Sequence, residues 1–268
     1  MNVAALQMVS GTSVQGNLDT ARTLIAQAAQ AGAELAVLPE YFCLMGHRDS
    51  DKLAVREAPG AGPVQEFLAT CAREHGLWIA GGTLPLSGSD DDHVLNTSLV
   101  FSPQGRQAAR YDKIHLFRYD SGTEQYDESR VIERGSQPAS FEMNARDGKR
   151  WRIGMSVCYD LRFPELYRSL DADVLLVPSA FTYGTGKAHW ELLLRARAVE
   201  NLAFVIAAAQ GGTHENGRRT WGHSMVVDPW GVVLAQQGEG AGVVLADLDA
   251  ARQAQVRTQL PALEHRVL

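Results

Sequence analysis

Cysteine is scarce: the 268 residues hold three, Cys43, Cys71 and Cys158. So small, scattered and odd a set cannot build a disulfide framework in a chain this long, so at least one thiol is free. Long apolar runs are missing too. The longest, such as Leu202 to Ala209, fall far short of the ~20 residues that span a bilayer, and no basic segment opens the chain. These absences predict a cytoplasmic protein with no membrane partner. Positive charge is in the minority, with 25 Lys and Arg against 31 Asp and Glu for a formal net charge of -6. Without a clustered Lys/Arg stripe to neutralise phosphates, nucleic acid is not an expected partner, and a small molecule is.

Metal and nucleotide signatures are lacking as well. Eight histidines are present, yet none forms a His-Glu-x-x-His pair or a Cys/His cluster at ligand spacing, so neither a metal nor another cofactor is expected. Tyr183-Gly184-Thr185-Gly186-Lys187-Ala188 imitates a phosphate loop, but Phe181 stands where the motif needs its first glycine and Ala188 where it needs Ser or Thr. Asn96-Thr97-Ser98 matches a glycosylation acceptor and is read instead as part of a strand. Linkers, repeats and low-complexity tracts are also absent. With 45% hydrophobic residues, the chain is expected to fold as one domain over residues 1–268.

What is present is an alternation of short apolar runs with helical periodicity. Val3 to Val9 reads as a strand, Leu18 to Ala31 as a helix, and Glu34 to Leu38 as a buried strand closed by Pro39. Val64, Phe67, Leu68 and Cys71 follow helical spacing that Gly76 stops, and Leu77 to Ala80 is the next strand. Asn96 to Phe101 and Gln107 to Tyr111 flank a Pro103-Gln104-Gly105 turn as a hairpin. Residues 118 to 138 read as a long polar loop. Trp151 to Val157, Val174 to Val177 and Phe204 to Ala209 are strands, with helices over residues 163 to 170 and Ala188 to Asn201 between them. Met225 to Val227, Val232 to Ala235 and Val243 to Ala246 close the chain as strands. This is the pattern of an α/β fold with mixed sheets.

Glu40, Lys113 and Cys158 each follow closely on a predicted strand, the region of an α/β sheet where ligands bind. Cys158 is the nucleophile candidate, since a thiolate beside a cation and near a helix N-terminus has a depressed pKa. Glu40 is the proton carrier for the thiol, the leaving amine and the hydrolytic water. Lys113, with the backbone N–H of Tyr159, supplies positive charge where an oxyanion develops. Together they describe amide hydrolysis through a thioester, with expulsion of ammonia. Against this stand the ordinary roles of such residues: a small buried hydrophobe for a cysteine, a solvated end for a Glu or Lys. Cys71 fits the ordinary role on its helix, and Cys43 lies close enough to Glu40 to line the same cleft.

The wording around the three residues decides between these readings. Leu38-Pro39-Glu40-Tyr41-Phe42, Tyr111-Asp112-Lys113-Ile114-His115-Leu116-Phe117 and Val157-Cys158-Tyr159-Asp160-Leu161-Arg162-Phe163-Pro164-Glu165 resemble, in order, the three signature segments of the nitrilase superfamily of carbon-nitrogen hydrolases. The resemblance runs over essentially the whole chain. It implies an α-β-β-α sandwich, a Glu40–Lys113–Cys158 triad, a second glutamate at Glu128, and a homodimer joined through the helices after Cys158 and over Ala188 to Asn201. Pro178-Ser179-Ala180-Phe181-Thr182, the segments from Ala188 to Glu200, and Gly222 to Gly231 are most similar to the branch that contains the deaminated-glutathione amidases, with the ω-amidases of α-keto acid amides next. The loop from Arg118 to Tyr126 departs from both branches, which usually have an aspartate where Arg118 stands. For a carboxylate-bearing amide, Arg162, Arg195 and Arg197 are available, the last two with ion-pair partners on their own helix. Tyr159, Phe181, Thr182 and Arg162 are the candidate substrate-binding residues. A scaffold protein keeping a relic site is the reading of another class.

Overall fold

In the computed structural model, which describes residues 1–122 and 125–267, the chain alternates short strands and helices from its first residues. Strand Asn2–Gln7 buries alternate side chains on opposite faces: Val3 and Ala5 join one apolar cluster, Ala4 and Leu6 another. Leu35–Val37 repeats the division, with Leu35 and Val37 on one side and Ala36 on the other. A strand buried on both faces must sit between layers, and this requirement fixes the architecture.

The first sheet runs in the order Gly242–Asp247, Asn2–Gln7, Leu35–Val37, Trp78–Ala80, Val94–Phe101, Leu84–Ser87, with Gln107–Asp112 and Ile132–Glu133 also pairing with Val94–Phe101. The second runs Ala139–Asn144, Arg150–Met155, Val174–Leu176, Phe204–Ala207, Met225–Val227, Val233–Gln236. Both mix parallel centres with antiparallel edges: Val3 to Ala5 pair in parallel with Leu35 to Val37, and Ile153 to Met155 with Val174 to Leu176. Helices α1 (Val14–Gln30) and, after the single turn α2 (Asp51–Ala54), α3 (Pro63–His75) cover the outer face of the first sheet through Leu18, Ile25, Phe67 and Leu68. Helices α4 (Pro164–Leu170) and α5 (Tyr183–Asn201) cover the second through Leu166, Tyr167, Trp190 and Leu194. The four layers are the expected α-β-β-α sandwich. No helix among the described residues is long and apolar enough to cross a membrane.

Several elements differ from the sequence reading. Residues 118 to 138 are not a structureless loop: Arg118–Asp120 and Gln125–Asp127 form a hairpin, followed by a 3-10 turn and Ile132–Glu133, all too short and polar to show a period. Residues 123 and 124 of that segment lie outside the described residues. Leu84–Ser87 is a strand despite Pro85, which is tolerated because the strand ends the first sheet's main path. Helix α5 begins at Tyr183 rather than Ala188, its first turn being the glycine-rich stretch set aside above. A last helix, α6 (Ala250–Gln259), follows the final strand; it buries only Gln253 and Val256 and so presents almost no apolar face to read.

Candidate active site

Strand ends bring the three chemical groups together. Glu40 lies just past Leu35–Val37, Lys113 follows Gln107–Asp112, and Cys158 follows Arg150–Met155 at the start of a short 3-10 turn, Cys158–Arg162. Glu40 and Lys113 are each 1% exposed, so their charges must be answered locally. Lys113 Nζ donates to Glu40 Oε1 at 2.9 Å and to both carboxylate oxygens of Glu128, at 3.0 and 2.8 Å. Asn96 Nδ2 donates to the same Glu40 oxygen at 2.9 Å, and the Ala180 N–H donates to the other at 2.9 Å. Glu128 is completed by the Tyr41 hydroxyl at 2.6 Å and the Phe117 N–H at 2.7 Å. Every charge in the cluster has a partner.

The electrostatics follow from that wiring. Burial alone would strip Lys113 of its proton, but the charges of Glu128 and Glu40 outweigh it and hold the ammonium well above its ordinary range. Burial likewise opposes ionisation of Glu128, and there the Lys113 charge and the donors around the carboxylate prevail, so its pKa falls. Cys158 goes the other way. Burial and the Glu40 charge push its thiol well above the usual cysteine value, with only Lys113 and the Ala180 N–H pulling back. A lone cation among two carboxylates, in a buried site, thus favours the protonated sulfur, the opposite of what a neighbouring cation alone would do. Cys158 also adopts the left-handed backbone region, φ 51°, as does Tyr41 beside Glu40, φ 57°, conformations held only where surrounding contacts enforce them.

With this geometry described, the chain can be set beside known proteins. A model of the family described as carbon-nitrogen hydrolase matches residues 2–258. A deaminated glutathione amidase of Synechocystis is 42% identical over 98% of this chain and 97% of its own length, and the human protein of that name is 40% identical over 98% and 81%. The chain belongs to the carbon-nitrogen hydrolase family. Among solved structures, Saccharomyces cerevisiae Nit3, a member of branch 10 of the nitrilase superfamily, superposes with a TM-score of 0.88 at 30% identity, covering 100% of this chain and 97% of that one. An amidase from Nesterenkonia in which acrylamide has added to the active-site cysteine matches with a TM-score of 0.80 at 28% identity, over 97% and 98%. This hydrolase is thus an enzyme of the nitrilase superfamily acting on carbon-nitrogen bonds, and amidase activity goes with it.

The hydrolase presents Cys158 to a narrow cavity of about 20 Å3 whose walls include Phe117, Tyr159, Arg162, Phe181 and Thr182. All four candidate substrate-binding residues are therefore in one place. The larger surface grooves, such as the one of about 330 Å3 between α1 and α3, are lined by none of the groups above. Arg162 stacks over the Tyr159 ring at 5.8 Å and the Phe181 ring at 5.7 Å, and makes no ion pair with any carboxylate among the described residues. Arg195 and Arg197 are not in the pocket. Arg195 donates to the Gly231 carbonyl and pairs with Glu191; Arg197 donates twice to the Leu161 carbonyl and pairs with Glu200. Neither Cys43 nor Cys71 lines the Cys158 cavity; both are buried, with thiols pushed by burial up to about 12 and about 11, and Cys43 lines a separate small cavity with Tyr41 and Asn96. No group of three or more His, Cys, Asp or Glu among the described residues could hold a metal ion.

Three functional neighbours escaped the sequence reading. Asn96 sits beside Thr97 and Ser98 in the strand Val94–Phe101, is buried in the fold, and carried no signal in the sequence. Tyr41 and Asp160 lay inside the quoted segments but carried no assignment. Asp160, fully buried, accepts from the Tyr111 hydroxyl at 2.7 Å, the Val157 N–H at 2.8 Å, the His115 N–H at 3.1 Å and His115 Nδ1 at 2.7 Å. It fastens the segment carrying Lys113 to the turn carrying Cys158.

Proposed function

We propose that this hydrolase cleaves deaminated glutathione through a thioester on Cys158, the observation that carries the reading being the closed Glu40–Lys113–Glu128 network around the thiol. Cys158 Sγ attacks the amide carbonyl carbon while its proton passes to Glu40. The carbonyl oxygen takes the electron pair and is held by Lys113 Nζ and the Tyr159 N–H; the neighbouring Cys158 and Asp160 N–H groups are already donating to Pro178 and Val157. Collapse breaks the carbon-nitrogen bond, and Glu40 returns the proton to the departing nitrogen. Glu40 then takes a proton from water, whose oxygen displaces the sulfur and leaves a carboxylic acid and the free thiol. The Glu128 carboxylate touches none of the reacting atoms; it keeps Lys113 charged and aimed.

The relatives named for deaminated glutathione supply the substrate, and Arg162 supports it. A guanidinium lying against two aromatic walls, with no carboxylate of its own, suits the α-keto carboxylate at the acyl end of that molecule. The cavity holds about one water's volume, so its walls must give way for an acyl chain to enter. Phe181 and Thr182 wall the same slot. An ω-amidase accepting the α-keto acid amide would use the same acyl contacts and release ammonia. We further read residues 1–268 as one catalytic domain working in the cytoplasm as a homodimer, its contact face marked by exposed Leu192 and Val199 on α5 with Trp230 and Val232 beside them. Light scattering at the mass of two chains is the expected result.

Mass spectrometry after seconds of incubation with deaminated glutathione tests the mechanism. An α-ketoglutaryl adduct on Cys158, absent in Cys158→Ala, is expected, and its absence in an active preparation overturns the covalent route. Steady-state rates on deaminated glutathione and on the α-keto ω-amide separate the two substrates. A Cys158→Ala protein with full biological activity would favour the scaffold reading.

A further inference from the structure

Deaminated glutathione carries a carboxylate at each end, with the scissile amide between them. Arg162 answers the one at the acyl end. A second cation belongs on the side of the departing dipeptide, and the small cavity requires that this half of the molecule lie over the mouth rather than inside. The hairpin of Gly211–Thr213 and Arg219–Trp221 adjoins a wall of that cavity: Thr220 bridges to Thr182, which lines it. Two arginines stand together at its turn, and they are not alike. Arg219 is paired with Glu239 at 2.9 Å and lies over the Tyr183 ring at 3.6 Å. Arg218, half-buried, makes no ion pair among the described residues; its guanidinium lies over the Tyr126 ring at 5.1 Å. Tyr126 packs on Phe117, 5.8 Å between ring centres, and Phe117 is a wall of the Cys158 cavity. Arg218 is also near enough to Tyr41 for its charge to act on that phenol, so it stands on the Glu128 side of the site.

We propose that Arg218 binds the carboxylate of the leaving group, making it the residue that separates a substrate with a carboxylate beyond the scissile bond from a plain ω-amide. This rests on the reading of the substrate given above. A guanidinium can meet a carboxylate with two parallel hydrogen bonds, and one held against an aromatic ring at a pocket rim is already oriented for it.

The experiment compares deaminated glutathione with its C-terminal amide, which differs only in lacking the distal charge. The wild-type enzyme is expected to favour the acid by about 10- to 100-fold in kcat/KM, mostly through KM. In Arg218→Met that ratio falls toward 1, and in Arg218→Lys part of it returns because the charge remains while the fork is lost. An unchanged ratio in Arg218→Met, or no preference in the wild type, overturns the assignment; an equal loss on both substrates does so too, since it marks a merely structural role. If the wild-type enzyme turns over only the short ω-amide, the substrate reading fails by itself. Arg218 is then tested by cysteinylglycine as an inhibitor of that reaction: inhibition weakened about tenfold in Arg218→Met supports the subsite, and equal inhibition of the two proteins refutes it.

Discussion

Replacing Tyr41 by Phe removes one hydroxyl and leaves the ring in place beneath Lys52, whose ammonium lies 4.7 Å from its centre. The hydroxyl is one of four donations to the Glu128 carboxylate, at 2.6 Å, beside Lys113 at 3.0 and 2.8 Å and the Phe117 N–H at 2.7 Å. Burial opposes the charge on Glu128, and these donors together hold its pKa below the ordinary carboxylate range. A hydrogen bond to a charged group contributes about 1.5–3 kcal/mol, of which the remaining donors recover part, so the acid limb should move upward. The sign follows from linkage. A carboxylate whose folded pKa is depressed contributes stability that is present above its unfolded pKa and lost as pH falls through the folded value. Without the hydroxyl the folded value rises, so this stability disappears at higher pH. The acid limb of kcat/KM and the midpoint of acid unfolding should both move upward, while kcat near neutral pH falls only several-fold. Stopped-flow assays and circular dichroism across pH 3 to 8 read both. An acid limb that stays put, in a variant with the wild-type melting temperature, would refute the assignment of Tyr41 as one of the groups that keep Glu128 charged.

The other substitutions probe the shell around the triad. Asn96→Leu removes a donor 2.9 Å from Glu40 Oε1 and should slow acylation about 10- to 100-fold in single-turnover experiments, with little change in KM. Asp160→Asn turns an acceptor of four donations, two to each oxygen, into a group that must turn an NH2 toward two of them; a loss of about 2–4 kcal/mol is expected, seen as a melting temperature lowered by about 5–10 °C. Gly82→Ala would drive a methyl into the Pro39 carbonyl oxygen at φ +52°, so the backbone beside Glu40 must move, and both stability and kcat should fall in melting and steady-state assays. Glu40→Gln removes a negative neighbour of Cys158, so the midpoint of the pH profile for iodoacetamide alkylation should move down while amide turnover is lost by about 100-fold or more.

The fold was legible wherever burial imposed a period. Leu35–Val37 and Trp78–Ala80 are covered on both faces and read as unbroken apolar runs, and α3 shows its buried side as Val64, Phe67, Leu68 and Cys71 between Pro63 and Gly76. Elements that bury little were not legible: α6 has one buried aliphatic residue, and the strands Arg118–Asp120 and Gln125–Asp127 are held by pairing with each other. In the site, each charged group of the triad announced itself by residue type at the end of a strand. Their neutral partners did not. Asn96 and Tyr41 resemble any strand amide or turn aromatic until the chain folds, since Asn96 meets a carboxylate 56 residues away and Tyr41 one 87 residues away.

The thiol's resting state is the point at which wiring and chemistry meet. Two carboxylates around one ammonium give the cluster a net negative charge, which is what keeps the Cys158 proton in place together with burial. The same arrangement would be a poor host for an oxyanion if nothing changed on attack. What changes in the mechanism we propose is Glu40: once it has taken the thiol proton it is neutral, and Lys113, relieved of one of its two negative partners, has charge to offer the substrate oxygen. Glu128 does not take part in that exchange, because its oxygens are filled by Tyr41 and the Phe117 N–H as well as by Lys113. In the proposed mechanism the electrostatic support for the tetrahedral intermediate is thus switched on by the proton transfer that forms the nucleophile, so that a thiolate and an unshielded ammonium need not coexist in the resting site.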